Sequence, residues 1–360
     1  MELFTFNSVA RFHRAMLSYY RHDPCFINNK SAILKIVCCK RGAFFNNTSQ
    51  KMVGIREGRE ILCQCVLIKH KNFDALTLAF FEAKPGAQAA VELLKAHAEE
   101  YGKTVGAKRV VVSLDGHCDY GVGFSFGEPL PPMFGESYTP SWYCDYFQGD
   151  GYREIGFSGY WGDFAKNSQN LSRVFQWMED RLADLTVACA DFRRFKSEIA
   201  RYTDLSNRIF ADHWYFFKRE YREDWELFST MKPLLGPCNL IFVQKDGTDI
   251  GFLLMYPDFN ELVPVGRQVG IGTLLKYKLL KKPIRNMKIT EIAVLPEYRN
   301  SGAILMLLVE ASKQIRLHYP HVERVTSGWI LDENYASQNI TQRFTDQLHR
   351  HLKAYEKPIA

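Results

Sequence analysis

Residues Lys288 to Leu305 read Lys-Ile-Thr-Glu-Ile-Ala-Val-Leu-Pro-Glu-Tyr-Arg-Asn-Ser-Gly-Ala-Ile-Leu. Ile289, Ile292 and Val294 suit a short buried strand. Pro296 has no amide hydrogen to give a ladder, so the strand stops before it. Arg299 to Gly302 form a turn. Ile304, Leu308, Ala311 and Ile315 then recur every three or four residues, which predicts an amphipathic helix through Leu317. A strand, a tight glycine turn and a helix start place free backbone amides where a phosphate can bind.

This stretch resembles the acyl-CoA site of the GNAT acyltransferases. In that family a central strand ends in Val-x-Pro-x-x-Arg, and a Q/R-x-x-G-x-G/A turn binds the pyrophosphate of coenzyme A. Val294, Pro296, Arg299 and Gly302 match. Ile304 stands where the family has glycine or alanine, and a side chain there crowds the backbone against a pyrophosphate. The resemblance implies donor contacts from Ala293, Val294, Arg299, Asn300, Ser301, Gly302 and Ala303, with Asn334 near the donor. The other reading is an ordinary strand-turn-helix corner.

The chain has 360 residues, enough for two domains. With 46% hydrophobic and 24% charged residues, its composition is that of a folded globular protein. A net charge of +6 permits an anionic partner such as coenzyme A or RNA without demanding one. The charges are scattered, with only short clusters such as Lys276 to Arg285, so no DNA partner is expected. No signal peptide, spanning run or lipidation motif is read, so a cytoplasmic chain with no membrane partner is expected. The nine cysteines are odd in number and lack C-x-x-C spacing, so reduced thiols are expected. Cys63 and Cys65 share one strand face, and the histidines do not cluster, so no metal is expected.

The first half reads as helices at Ser8 to Tyr20 and Lys30 to Lys40. Strands follow at Lys51 to Arg56 and Glu60 to Lys69, joined across Gly58, and at Leu76 to Phe81. A helix at Ala87 to Tyr101 places Ala90, Leu93, Leu94 and Ala98 on one face, and a strand at Lys108 to Leu114 completes the set. The segment from Gly116 to Gly149 is irregular, and its aromatics argue against disorder. The second half begins near Asp184. It reads as a strand at Leu185 to Ala190, a helix at Phe192 to Arg222 and a hairpin across Asp246-Gly247. The Lys288 strand and its helix follow, then a strand at Val322 to Ile330, a helix to about Leu352 and a terminal strand at Ala354 to Ile359.

This order is GNAT-like twice over. Pro257-Asp258-x-Asn260, Asn334 and the terminal Tyr355-Glu-Lys-Pro-Ile resemble a group of bacterial proteins with two fused GNAT folds, over nearly the whole chain. The resemblance implies an α/β chain with mixed α+β sheets. Its two fused GNAT-like domains span residues 1–183 and 184–360, each with a mostly antiparallel central sheet flanked by helices. The first copy is degenerate, since Ala83-Lys84-Pro85-Gly86 has neither arginine nor Gly-x-Gly.

Two other motifs compete. Arg267-Gln-Val-Gly-Ile-Gly272 keeps both glycines of the phosphate turn, but a poor strand precedes it and Pro283 limits the helix after it. Gly123-Phe-Ser-Phe-Gly127 fits a nucleophile elbow, which needs a helix after the serine, and Glu128-Pro-Leu-Pro-Pro132 forbids one.

Acyl transfer to an amine needs a base, a polarised thioester carbonyl and a proton for the leaving thiolate. Glu291 on the central strand is the candidate base if it faces the cleft, where burial raises its pKa toward neutrality; otherwise it is a solvent-facing carboxylate. Tyr335 is the candidate acid or a packing tyrosine, and Asn334 suits a helix cap that can also orient the donor. Asp258, Asn260, Tyr138, Trp142 and Tyr143 are candidate acceptor contacts, and the aromatics read equally as packing. Three functions follow. One is an N-acyltransferase that uses acetyl-CoA or another acyl-CoA and a small-molecule or peptide amine bound between the domains. Another is a transferase dependent on acyl carrier protein or aminoacyl-tRNA, as in the Fem type. The last is a non-catalytic binding protein.

Overall fold

The computed structural model describes residues 1–359 other than 237, 344 and 346. In chain order the first half runs β1 (Glu2–Thr5), α1 (Val9–Ser18), α2 (Lys30–Val37), α3 (Ala43–Asn46), β2 (Thr48–Glu57) and β3 (Glu60–His70). It continues with β4 (Ala75–Ala83), α4 (Gln88–Thr104), β5 (Arg109–Val112), β6 (Phe124–Phe126), β7 (Arg153–Asp163) and α5 (Phe164–Met178). The second half runs β8 (Leu185–Cys189), α6 (Phe195–Ile209), α7 (Tyr221–Met231), β9 (Leu240–Lys245), β10 (Thr248–Pro257) and α8 (Ile271–Lys278). It ends with β11 (Asn286–Val294), α9 (Ala303–His318), β12 (Arg324–Ser327), β13 (Ile330–Leu331), α10 (Tyr335–Gln342) and β14 (Gln347–Pro358).

Local chemistry accounts for many of these bounds. Ser8 caps α1 by accepting the Arg11 amide at 3.3 Å. Asp246 and Gly247 both have positive φ, the geometry of the two-residue hairpin turn between β9 and β10. The long helix expected from Phe192 to Arg222 is two helices. No glycine or proline breaks it. A buried aromatic knot does, with Tyr215 in the left-handed region and short turns from Phe210 to His213 and His213 to Phe216. His213 and Trp214 therefore lie outside any helix. The helix expected to reach Leu352 stops at Gln342, because β14 starts at Gln347 and takes ladder partners. Leu93 of α4 is exposed, and Val91 is buried in its place. Cys189 and Cys238 form a disulfide, so the expectation of reduced thiols fails for that pair.

The chain forms two compact units. The first holds Met1–Phe157, Val263–Gln268 and His351–Ala360, and the second holds Ser158–Leu262 and Val269–Arg350. Membership thus changes inside β7, inside β14 and on either side of residues 263–268, and Asp184 lies within the second unit. The first unit orders its strands β1-β2-β3-β4-β5-β14, and the second orders its strands β7-β12-β11-β10-β9-β8. Each sheet is antiparallel except for one parallel pair, β4–β5 in the first and β11–β12 in the second. A parallel pair needs a long crossover, which α4 and α9 supply.

Both parallel pairs are short. β4 pairs β5 only from Ala75 to Leu78, and β11 pairs β12 only from Asn286 to Ile289. Just past that point each central strand carries a bulge against its antiparallel neighbour, at Gln64/Val66 and at Leu254/Met255. A bulge bends its strand. The two strands of each pair therefore diverge.

In the first unit this opening is filled. Phe81 packs against Phe124, Tyr143, Tyr146 and Phe147 from the aromatic segment. Glu82 is fully buried and takes Lys30 Nζ at 3.0 Å, the Tyr20 hydroxyl at 2.6 Å and the Tyr143 hydroxyl at 2.9 Å. Tyr146 Oη accepts the Ala87 amide at 3.2 Å, so a tyrosine occupies the start of α4. Removing Lys30 leaves a buried carboxylate without its cation, which typically costs about 3–5 kcal/mol. Lys30→Met is expected to lower the melting temperature sharply, and adding Glu82→Gln is expected to recover part of the loss. A Lys30→Met protein as stable as wild type refutes this view of the first unit.

Candidate active site

In the second unit the same opening is built around Glu291. Strand β11 continues to Val294, pairing with β10 as far as Gly251, while its β12 contacts end at Ile289. Thr290 is the extra residue of the bulge, between Ile289 opposite Met255 and Glu291 opposite Leu254. Gly328 donates its amide to Ile289 O at 2.6 Å. A Cβ on Gly328 would meet Thr290 O at 2.5 Å, so glycine is required where β12 ends. Beyond it, alternate backbone groups of Thr290 to Val294 face the opened side. Thr290 Oγ1 is buried without a hydrogen-bond partner among the described residues.

The Tyr202 hydroxyl, from α6, lies 2.9 Å from both carboxylate oxygens of Glu291. Behind it is a buried ion pair, Arg219 Nε to Asp224 Oδ1 at 3.2 Å. Thr203 Oγ1 donates to Asp224 Oδ2 at 2.8 Å. Asn207 holds the Arg219 backbone from both sides, accepting its amide and donating to its carbonyl at 2.9 Å each. Glu291 retains partial solvent access. Its pKa is pushed up to about 7 by burial; the Arg219 charge and the Tyr202 hydroxyl oppose the rise, and the Asp224 charge adds to it. Tyr202 stays a proton donor, because burial and the Glu291 charge hold its pKa well above the usual tyrosine range. Trp329 follows Gly328 and its ring lies 6.0 Å from that of His213, whose pKa burial lowers.

Arg299, Asn300, Ser301 and Gly302 lead from β11 into α9. Gly302 has φ of +83°, a left-handed conformation that favours glycine, and a Cβ there would push against the end of the Leu182 side chain. The first amides of a helix lack intrahelical acceptors. Ser301 Oγ takes that of Ala303 at 3.3 Å. Arg299 and Asn300 are exposed, Ala293, Val294 and Ala303 are buried, and Ile304 and Leu308 are half-buried.

The remaining candidates sit on other elements. Asn334 caps α10 by accepting the Ser337 amide at 3.2 Å, and Tyr335 beside it is 73% exposed. Asp258 accepts the Asn260 amide at 3.2 Å, which shapes the turn after β10, and both side chains are buried. Tyr138 and Tyr143 are buried packing residues of the first unit, while Trp142 is exposed. Arg267 donates its amide to Pro264 O at 3.0 Å and accepts the Asn28 amide at 2.8 Å; no strand precedes it, and α8 begins at Ile271. Among the described residues, one group of metal-ligand types comes together, His117, Cys118 and Asp119, with His117 Nδ1 already accepting the Asp119 amide at 3.2 Å.

No family model matches the chain. It is 22% identical over 175 residues to a bacterial ceramide synthase of Caulobacter vibrioides, covering 47% of this chain and 45% of that protein. It is also 22% identical over 272 residues to Protein YghO of Escherichia coli, covering 73% of this chain and 69% of that one. The match to the synthase thus spans less than half of that protein. Among solved structures, a tandem GNAT protein from the clavulanic acid biosynthesis pathway aligns with 100% of this chain and 98% of its own. The TM-score is 0.57 at 12% identity. At such identity the likeness is one of fold, and the chain has a tandem GNAT-like fold of mixed α/β class.

A glutamate with a raised pKa favours the fold while protonated. The unfolded chain ionises near 4.5 and the folded one near 7, so stability falls as pH rises through that window. Glu291→Gln removes this dependence. Its melting temperature is expected to match wild type at pH 5 and to exceed it by a few degrees at pH 8. A difference that does not grow with pH contradicts the raised pKa.

Proposed function

We propose that this chain is an N-acyltransferase that moves an acyl group from an acyl-CoA, acetyl-CoA or a longer one, to an amine. The observation that carries this reading is a half-buried carboxyl held by the Tyr202 hydroxyl, its pKa raised by burial, placed just past the bulge on a central strand whose far end leads into a glycine turn and helix. A base poised near the working pH is what proton removal from an ammonium or amine requires.

In this mechanism Glu291 takes the proton from the acceptor nitrogen, and the nitrogen attacks the thioester carbonyl. A free amide on the opened side of Thr290 to Val294 holds the developing oxyanion. The carbon–sulfur bond breaks, the amide product forms and coenzyme A leaves as a thiolate. Tyr335 or water returns a proton to it. Arg299 and the first amides of α9 bind the pyrophosphate, where aligned donors and the helix dipole favour an anion. Tyr202 and the Arg219–Asp224 pair are positioning residues that set the Glu291 pKa.

The acceptor is an amine of a small molecule, peptide or lipid. Ceramide is an amide of a long-chain base, so the relative named for it makes a long-chain amino alcohol a natural member of an acceptor panel.

Acyl transfer is measured by thiol release from acyl-CoAs against that panel. Wild type is expected to show kcat/KM rising with pH to a plateau above about 7. Glu291→Gln is expected to lower kcat by about 10²–10⁴-fold. Tyr335→Phe, at an exposed site where water can replace it, is expected to change kcat by less than about threefold. Arg299→Ala is expected to raise the KM for acyl-CoA, and Arg267→Ala to leave it unchanged. Full activity in Glu291→Gln rules the base out, and the reverse arginine result moves the donor to the other turn.

A further inference from the structure

Helix α8 sits on the second unit by one face. Thr273 is buried, the Tyr277 ring meets Phe259 edge-on with centroids 5.1 Å apart, and Lys276 Nζ donates to Leu262 O at 2.9 Å. Its other face should be polar and is not. Ile271, Leu275 and Leu279, spaced four apart on one stripe, are 79%, 46% and 71% exposed. The amides of Leu279 and Leu280 both reach Leu275 O, at 3.0 and 3.1 Å. The closing turn is widened by the bond that spans five residues, and Leu280 is 65% exposed beside the stripe.

Charge is segregated here too. From residue 262 to residue 290 the sequence has no Asp or Glu and seven cations, at 267, 276, 278, 281, 282, 285 and 288. Lys278, Lys281 and Lys282 are exposed and have no ion-pair partner among the described residues, while Arg285 pairs with Glu323 at 3.2 Å.

We propose that α8 and the residues that follow it are a membrane-docking element that lies on an anionic lipid surface. The Ile271, Leu275, Leu279 and Leu280 side chains enter the headgroup boundary, and Lys278, Lys281 and Lys282 meet lipid phosphates. Aliphatic residues beside lysines are the pattern of helices that rest on bilayers. Protein interfaces instead favour aromatic side chains and are depleted in lysine. No helix among the described residues is long and apolar enough to cross a membrane, so this element rests on the surface and does not span it. The proposal stands apart from the acyl-transfer reading, since lipid binding is measured without turnover.

The test is co-sedimentation of the full chain with phosphatidylcholine vesicles, with and without phosphatidylglycerol, at rising salt. Wild type is expected to bind the anionic vesicles and to release them as salt rises. Leu275→Ser/Leu279→Ser and Lys281→Gln/Lys282→Gln are each expected to lower the partition coefficient by more than about tenfold, since each lysine near an anionic surface accounts for about fivefold. The four substituted side chains are exposed, and circular dichroism and melting are expected to be unchanged. Absence of vesicle binding, or binding that neither double variant weakens, overturns the proposal. So does saturable binding to an acidic acyl carrier protein, lost in the same variants, with no vesicle binding.

Discussion

Everything at the candidate site depends on the parting of β11 from β12 after Ile289. Four parallel pairs hold the strands together, and then Thr290 is inserted against β10 and bends β11 away. Gly328 permits the close approach at which the separation starts, because any side chain there would strike the Thr290 carbonyl. A paired β-sheet has no free amides in its interior. Here β11 past Ile289 has no ladder pairing to β12 among the described residues, while β10 still holds its other side as far as Val294. That combination of rigid support and unused hydrogen-bonding capacity is what a thioester carbonyl needs.

The same device occurs twice, with opposite outcomes. Each unit places a glutamate just past the bulge, a tyrosine hydroxyl on it and a cation in the neighbourhood: Tyr20, Glu82 and Lys30 in the first, Tyr202, Glu291 and Arg219 in the second. In the first, Lys30 pairs with Glu82 directly and Tyr143 adds a second hydroxyl. Aromatic rings fill the opening and Tyr146 covers the helix start. Glu82 is thereby a structural group. In the second, the cation is drawn off by Asp224, so Glu291 keeps a hydroxyl partner and access to solvent, while burial raises the pKa of both glutamates. One architecture yields a sealed ion pair and a half-buried carboxyl within reach of solvent, and the difference lies in which carboxylate the cation meets.

Much of this was legible in the sequence. The Lys288 strand, the Arg299 turn, the α9 helix and both hairpins follow from periodicity and turn chemistry, and Glu291 stands out as a carboxylate in an apolar strand. Its partners do not. Tyr202, Arg219 and Asp224 belong to no motif, and the unbroken helical pattern from Phe192 to Arg222 hid the bend that brings Arg219 back beside α6. The run of four aromatics from Trp214 to Phe217, the last three of them buried, was the available signal that a helix would bend there. Membership of the two units was also hidden. Strand β14 follows the second copy in sequence and pairs with β5 of the first unit, a non-local choice that hydrophobic patterning cannot reveal. The aromatics Tyr138 and Tyr143 look like a binding wall because buried and ligand-facing rings have the same composition.

Binding of the donor bears most directly on the central claim, that the opened strand and the α9 turn receive an acyl-CoA despite Ile304. Isothermal titration calorimetry of the full chain with acetyl-CoA, longer acyl-CoAs and free coenzyme A measures it. The account expects saturable binding at one site per chain, with the acyl-CoAs tighter than free coenzyme A because the strand amides add contacts to the thioester. No saturable heat with any of them, at concentrations where the folded chain is intact, contradicts the account and leaves the opening without the donor assigned to it.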